Sequence, residues 1–186
     1  LSTDDLEQLQ PVRHTVIPDR IEAGTFMVAA AITAGELKIE NCRLDDMMAA
    51  VDTLRNVGVT VEADGDGCVV SRTGPISTAD VTTQPYPGFP TDLQAQFMAL
   101  LSLADGNSVV IEKIFPDRSM HVAELNRMAA NLRKEGPTVI VAGVRKLIAA
   151  PVIAASKLLY LGLGLINRAS PQIKVFFVAM PLAQML

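Results

Sequence analysis

Few side chains in this sequence combine reactivity with a telling position, and Asp92 is the foremost of them. It lies in Pro90-Thr91-Asp92-Leu93-Gln94, just ahead of an apolar stripe, so it falls in the first turn of a helix. Backbone N–H dipoles at such a place hold a carboxylate ionised. An ionised carboxylate within about 3 Å of a hydroxyl can take its proton. The same dipoles lower its basicity, so positioning a hydroxyl is as much its chemistry as deprotonating one. Taken alone, an Asp here is simply a helix-favouring residue. A second copy of the pattern singles it out: Pro18-Asp19-Arg20-Ile21-Glu22 opens an equivalent stripe 72 residues earlier, and Arg20 stands where the later copy has Asp92.

Other reactive side chains point to less. His14 and His121 have no Ser, Cys or carboxylate at a diagnostic spacing, and His121, beside the second helix of its copy, reads as structural. Cys42 and Cys68 have no metal-ligand spacing and are too few for a disulfide scaffold. They read as small buried hydrophobes of a reducing compartment. Gly162-Leu163-Gly164 lacks the third glycine and acidic partner of a nucleotide fingerprint.

The elements that position Asp92 follow from the repeat. Each copy opens with a capping box, in which Asp19 or Thr91 caps the helix and Glu22 or Gln94 reaches back three residues later. Ile21, Thr25, Val28, Ala29 and Ile32 in one copy match Leu93, Phe97, Leu100, Leu101 and Ala104 in the other, one helical face in each. The first unit is predicted as helix 21–34, strand 37–40, helix 45–57 and strands 59–62 and 68–71. Asp64-Gly65-Asp66-Gly67 makes the hairpin turn. The second unit is predicted as strand 80–83, helix 92–104, strand 108–113, loop 114–118, helix 120–134 and strand 138–142. Leu132 is placed in that last helix's buried stripe. Helix-covered sheets built from repeated units, an α/β fold, follow. Residues 1–147 form two units, and 148–186 read as an incomplete or divergent third, with a buried helix over 148–166 and a strand near Val175–Val178. Pro151, Lys157, Gly162 and Gly164 interrupt the apolar run and argue against a membrane span.

Composition bounds the function. The chain has 186 residues, enough for one domain with a core, and 49% hydrophobic against 19% charged residues describe a globular protein. A net charge of −4 gives no general attraction to nucleic acid or acidic membranes. Leu1-Ser-Thr-Asp-Asp-Leu-Glu7 has no basic or apolar signal region, and without an initiator Met, Leu1 is not expected to be a natural start.

Three longer motifs carry a resemblance: His14–Phe26, Pro87–Phe97 and Phe115-Pro-Asp-Arg-Ser-Met-His-Val122. Together they closely resemble the UDP-N-acetylglucosamine 1-carboxyvinyltransferases, a branch of the enolpyruvyl transferase family, over roughly 12–154, as part of the second half of such an enzyme. Pro-Asp-Arg-Ile-Glu-Ala-Gly-Thr argues against the shikimate-pathway branch. The resemblance implies an inside-out α/β barrel of three repeated units per domain, with the active site in the cleft between two domains. It also implies transfer of enolpyruvyl from phosphoenolpyruvate to the 3-hydroxyl of UDP-N-acetylglucosamine in peptidoglycan synthesis. That reaction passes through a tetrahedral adduct, releases phosphate, takes place in the cytoplasm and needs no cofactor.

By the same resemblance Asp92 is the catalytic residue, contacting the sugar 3-hydroxyl as its base. Ile114 binds the nucleotide sugar through its backbone, and Arg118 lies beside the cleft, where an anionic substrate makes a guanidinium useful. Asp19, Arg20 and Glu22 are expected to serve as cap and ion pair. Phe115-Pro116-Asp117-Arg118-Ser119 departs from the family's Phe-Glu-Asn-Arg-Phe. After Lys146 the match is lost: where the family has Ala-Thr-Asp-Leu-Arg, this chain has Ala154-Ala155-Ser156-Lys157-Leu158. The family's phosphoenolpyruvate-binding Lys-Asn pair, its reactive loop and its late phosphate-binding Arg find no match. The chain alone is therefore expected to be inactive, the missing part of the enzyme being its required partner. The competing expectation is a truncated or degenerate homologue that acts as a binding module without catalysis.

Overall fold

The computed structural model describes residues 13–147 and the short strand Val175–Phe177. Helix α1 (Arg20–Ile32) begins with the Asp19 half of the first capping box: Asp19 Oδ1 accepts from the N–H groups of Ile21 at 2.7 Å and Glu22 at 3.3 Å, while the Glu22 carboxyl is buried beside Asp19. Small residues let it sink into the protein. Glu22, Ala23, Gly24, Met27, Val28, Ala30 and Ala31 are all buried, so the buried surface is wider than the single stripe the periodicity marks. Strand β1 (Glu36–Ile39) follows, then a 3-10 turn (Leu44–Met47) and helix α2 (Met48–Asn56). Strands β2 (Thr60–Asp64) and β3 (Gly67–Ser71) form the expected hairpin. Asp64 pairs with Gly67 across a two-residue turn, and Gly65 takes a φ of 62°.

The second unit runs through β4 (Val81–Thr82), a 3-10 turn (Thr91–Leu93), α3 (Gln94–Leu101), β5 (Asn107–Ile111), α4 (Met120–Arg127), β6 (Asn131–Glu135) and β7 (Thr138–Ala142). Strand β8 (Val175–Phe177) pairs antiparallel with β1 and falls within the strand expected there. The rest of the segment after residue 147, including the expected helix at 148–166 and Ser156 and Leu158, lies outside the described residues.

Among the described residues the strands form two four-stranded sheets, ordered β2-β3-β1-β8 and β4-β5-β7-β6; of these strand pairs only β4–β5 is parallel. Residues alternate between buried and more exposed along β1, β5 and β7, so each sheet turns one face to the core. The deeply buried α1 and α3 lie inside, and the amphipathic α2 and α4 bury only one side each. This is the inside-out arrangement, helices within and sheets without. Its centre is the contact of α1 with the start of α3. A Cβ on Gly24 would lie 2.6 Å from Leu93 Cδ1, so glycine is what permits the approach. Gln96 Nε2 donates to Thr25 Oγ1 at 3.0 Å across the same contact.

Three expectations need correction. The helix drawn over 120–134 ends at Arg127, and Leu132 belongs to a strand. Ala129 turns the chain with a φ of 64°, and Asn126 closes the corner: its Nδ2 donates to Leu132 O and its Oδ1 accepts from Leu132 N, both at 2.9 Å. The two units therefore both end in a hairpin. The second capping box does not form, because Thr91 and Gln94 are used elsewhere. The helix drawn from Asp45 begins as a 3-10 turn and becomes α-helical only after Met47, whose φ of −142° interrupts it. Cys42 and Cys68 are buried free thiols, as expected. Hydrogen bonding to Cys68, then burial, pushes the Cys42 thiol up and keeps it protonated.

Candidate functional site

The site is built around a buried carboxylate that the sequence does not advertise. Glu112 follows the last residue of β5 and is 3% exposed. Its Oε1 accepts from Thr83 Oγ1 at 2.8 Å and from the N–H groups of Ile114 at 2.7 Å and Phe115 at 2.9 Å. Its Oε2 accepts from Thr91 Oγ1 and Gln94 Nε2, each at 2.9 Å. Burial by itself would raise this carboxyl. The hydrogen bonds, led by Phe115 N–H and joined by Thr83, Ile114 and Thr91, outweigh it and hold Glu112 below the ordinary carboxylate range, hence ionised.

One carboxylate thus ties the turn that starts α3 to the loop that leaves β5. Asp92, next to Thr91, and Ile114 are brought to the same rim. Arg118 joins them: its NH1 donates to Asp92 Oδ1 at 2.5 Å, and its guanidinium lies 5.8 Å from the centre of the Phe115 ring. The two side chains of this pair are about half exposed, so the pair contributes no more than about 1 kcal/mol and a ligand can displace it cheaply. Since Glu112 engages the N–H groups of both Ile114 and Phe115, the Ile114 carbonyl is what that backbone offers a ligand. With the remaining oxygen of Asp92, the rim presents two acceptors and one cation, which suits a hydroxyl donor on a molecule that also carries negative charge.

His121 completes the wall. Its Nε2 lies 3.1 Å from Met98 Sδ. Burial, and secondarily Arg118, hold its pKa below the usual histidine range, so the ring is neutral near pH 7. It packs α4 on α3, as the structural reading expects.

The first unit carries the matching place with charges exchanged. Arg20 stands for Asp92 and Asp46 for Arg118, each shifted by 72 residues. Arg20 NH1 donates to the Asp46 carbonyl at 3.0 Å, and its guanidinium lies 4.9 Å from the centre of the Tyr86 ring. A depression of about 490 Å³ opens here, lined by Asp19, Arg20, Arg43, Asp46 and Tyr86 among others. This hollow lies beside Arg20, in the unit without the rim carboxylate, and its two arginines are balanced by two aspartates. Asp19 is the cap expected of it; Arg20 bonds a main-chain oxygen instead of an acidic side chain. Glu112, Thr83 and the bonding of Gln94 were not visible in the sequence. A glutamate at the end of a strand reads as solvated, and the one available signal was that Glu40 repeats as Glu112. Among the described residues no cluster of three or more His, Cys, Asp or Glu is placed for a metal, and no helix is long and apolar enough to cross a membrane.

Residues 3–157 match the family model described as EPSP synthase (3-phosphoshikimate 1-carboxyvinyltransferase). Over 154 residues, 83% of this chain and 37% of the relative, the sequence is 49% identical to the UDP-N-acetylglucosamine 1-carboxyvinyltransferase of Granulibacter bethesdensis. It is 52% identical over 142 residues to UDP-N-acetylglucosamine 1-carboxyvinyltransferase 2 of Mesorhizobium japonicum, 76% of this chain and 34% of the relative. The chain therefore spans little more than a third of the curated relatives it matches. The fold is similar to the enolpyruvyl transferase NikO from Streptomyces tendae, with a TM-score of 0.61 at 23% identity, over 70% of this chain and 31% of that one.

Proposed function

This chain belongs to the EPSP synthase family of carboxyvinyl transferases, and from that premise we propose that it supplies the sugar-facing wall of an active site for UDP-N-acetylglucosamine. The reaction proposed is enolpyruvyl transfer from phosphoenolpyruvate to the sugar 3-hydroxyl, an early step of peptidoglycan synthesis in the cytoplasm. The observation that carries the reading is the shared rim of Asp92, Arg118 and Ile114, an acceptor pair beside a cation. The sugar hydroxyl donates to Asp92, and as its oxygen bonds to C2 of phosphoenolpyruvate the proton passes to the carboxylate. A proton must reach C3 to complete the tetrahedral adduct; its collapse returns a proton from C3, restores the C2–C3 double bond and expels phosphate. The groups that bind phosphoenolpyruvate and deliver that proton belong, in this reading, to another part of the enzyme. No metal or organic cofactor is invoked.

Calorimetric titration of the chain with UDP-N-acetylglucosamine tests the reading. Saturable binding that Asp92→Ala weakens at least about tenfold, the worth of one charge-assisted hydrogen bond, is expected. A chain indifferent to the nucleotide sugar removes the proposal. A second reading, a binding module without catalysis, is favoured by the altered loop Phe115-Pro116-Asp117-Arg118-Ser119. Phosphate release in the presence of a complementing enzyme part separates the two, since a module binds and never turns over.

A further inference from the structure

The two units solve the same problem differently. Each must start an inner helix in the core, and unit one does so locally, with Asp19 accepting from Ile21 N and Glu22 N. Unit two has no side chain capping its helix: Pro90 precedes the turn, and neither Pro90 nor Leu93 makes a cap bond. Its Thr91 hydroxyl and Gln94 amide reach 21 and 18 residues along the chain to Glu112. The Glu112 counterpart in unit one, Glu40, is only partly buried. A local cap is sufficient to begin such a helix, as α1 demonstrates, so helix initiation does not account for burying an ion in unit two. Burying one is costly unless every lone pair is engaged, and here five donors engage them. What the arrangement adds is a fixed relation between the Asp92 turn and the Ile114 backbone.

We propose that Glu112 is a positioning residue: it locks the turn carrying Asp92 to the Ile114–Phe115 backbone, setting the spacing of the two acceptors that meet the nucleotide sugar, Asp92 at its hydroxyl and the Ile114 carbonyl at another donor. It touches neither substrate nor reacting atoms and acts through Thr91, Gln94 and the two amides. Thr83 braces it from behind, its Oγ1 donating to Glu112 and accepting from Lys113 N at 2.9 Å. The inference deepens the proposed function and rests on it.

Three chains decide it: wild type, Glu112→Gln and Thr91→Val, each followed by amide hydrogen exchange and by titration with UDP-N-acetylglucosamine. Glutamine keeps the size but loses the charge and half of the acceptor capacity. In E112Q the Ile114 and Phe115 amides should exchange at least about tenfold faster while the β2–β3 hairpin keeps its protection, and affinity should fall by a similar factor. T91V, which loses one arm of the tie, should weaken binding less and leave both amides protected. Unchanged affinity in E112Q, or protected Ile114 and Phe115 amides, overturns the lock. If E112Q loses protection throughout, T91V decides: weakened binding in a folded T91V chain upholds the lock, and unaltered binding makes Glu112 a core ion only. Wild-type chain that binds no nucleotide sugar, with the two amides freed in E112Q, overturns the proposed function and leaves the lock standing.

Discussion

At the level of single residues the site is a set of unequal contributions. Asp92 and Arg118 form a half-exposed pair, so Arg118→Ala should change unfolding free energy by less than about 1 kcal/mol. The same variant should weaken nucleotide-sugar binding measurably, because it removes the rim cation; equal losses of stability and affinity would contradict this. Asp92→Asn, placed in a complete enzyme, keeps size and shape but loses the proton acceptor. Turnover should fall about 100-fold or more with an unchanged melting curve, and unchanged turnover would reduce Asp92 to a helix-start residue. Asp92 stood out in the sequence because its motif differs from the first copy, which has Arg20, and resembles the family's motif. Glu112 did not, because its five bonds come from three separate segments that only the fold assembles.

At the level of elements, close backbone approach matters more than hydrophobic pattern. A Cβ on Gly143, just past β7, would meet the Ala104 carbonyl oxygen well inside contact distance, and Gly143 N donates to Gly106 O at 2.8 Å. Gly143→Ala must push two main chains apart and should cost about 2 kcal/mol or more. Gly136, in the β6–β7 turn, has a φ of 59° and open space around it, so Gly136→Ala meets only the left-handed backbone penalty of about 1 kcal/mol. Chemical denaturation of both variants checks the order, and Gly136→Ala proving the worse would refute it. Local signals served well where turn chemistry is explicit, as at Asp19 and at Gly65 in the β2–β3 hairpin. They failed at 128–131, where Met-Ala-Ala-Asn favours continuing α4. A long-range demand decides there: β6 must pair with β7, and Asn126 holds the corner. The repeat itself carried that information, since unit one already turns from helix to hairpin after Val57.

Across the whole molecule, buried and half-buried titrating groups set the acid limb of stability. His121 has its folded pKa below the free value of 6.5, so its contribution is present above that pH and is lost as pH falls through the folded pKa. Glu112, held below 4.5, adds a second loss at lower pH by the same sign. Glu22 opposes it: burial, then Asp19, raises its folded pKa, so its contribution is present below 4.5 and lost as pH rises through the raised value. Melting temperature should therefore decline from about pH 6.5 downward and fall again below about 4.5. His121→Phe should flatten the first decline and Glu112→Gln the second; a profile indifferent to either variant would disprove the assignment. Alone, the chain should release no phosphate from phosphoenolpyruvate, with or without UDP-N-acetylglucosamine, since it spans about 37% of the relative from Granulibacter bethesdensis.

The exchange of Arg20 and Asp46 for Asp92 and Arg118 has a consequence for stoichiometry. Duplication produces two look-alike rims, and two identical rims would give any substrate two addresses and two orientations. Sign reversal removes the ambiguity: a guanidinium can donate to a hydroxyl but cannot take its proton. Under the proposed function, the pseudo-symmetric chain is left with a single productive seat, one nucleotide sugar per chain, entered in one direction.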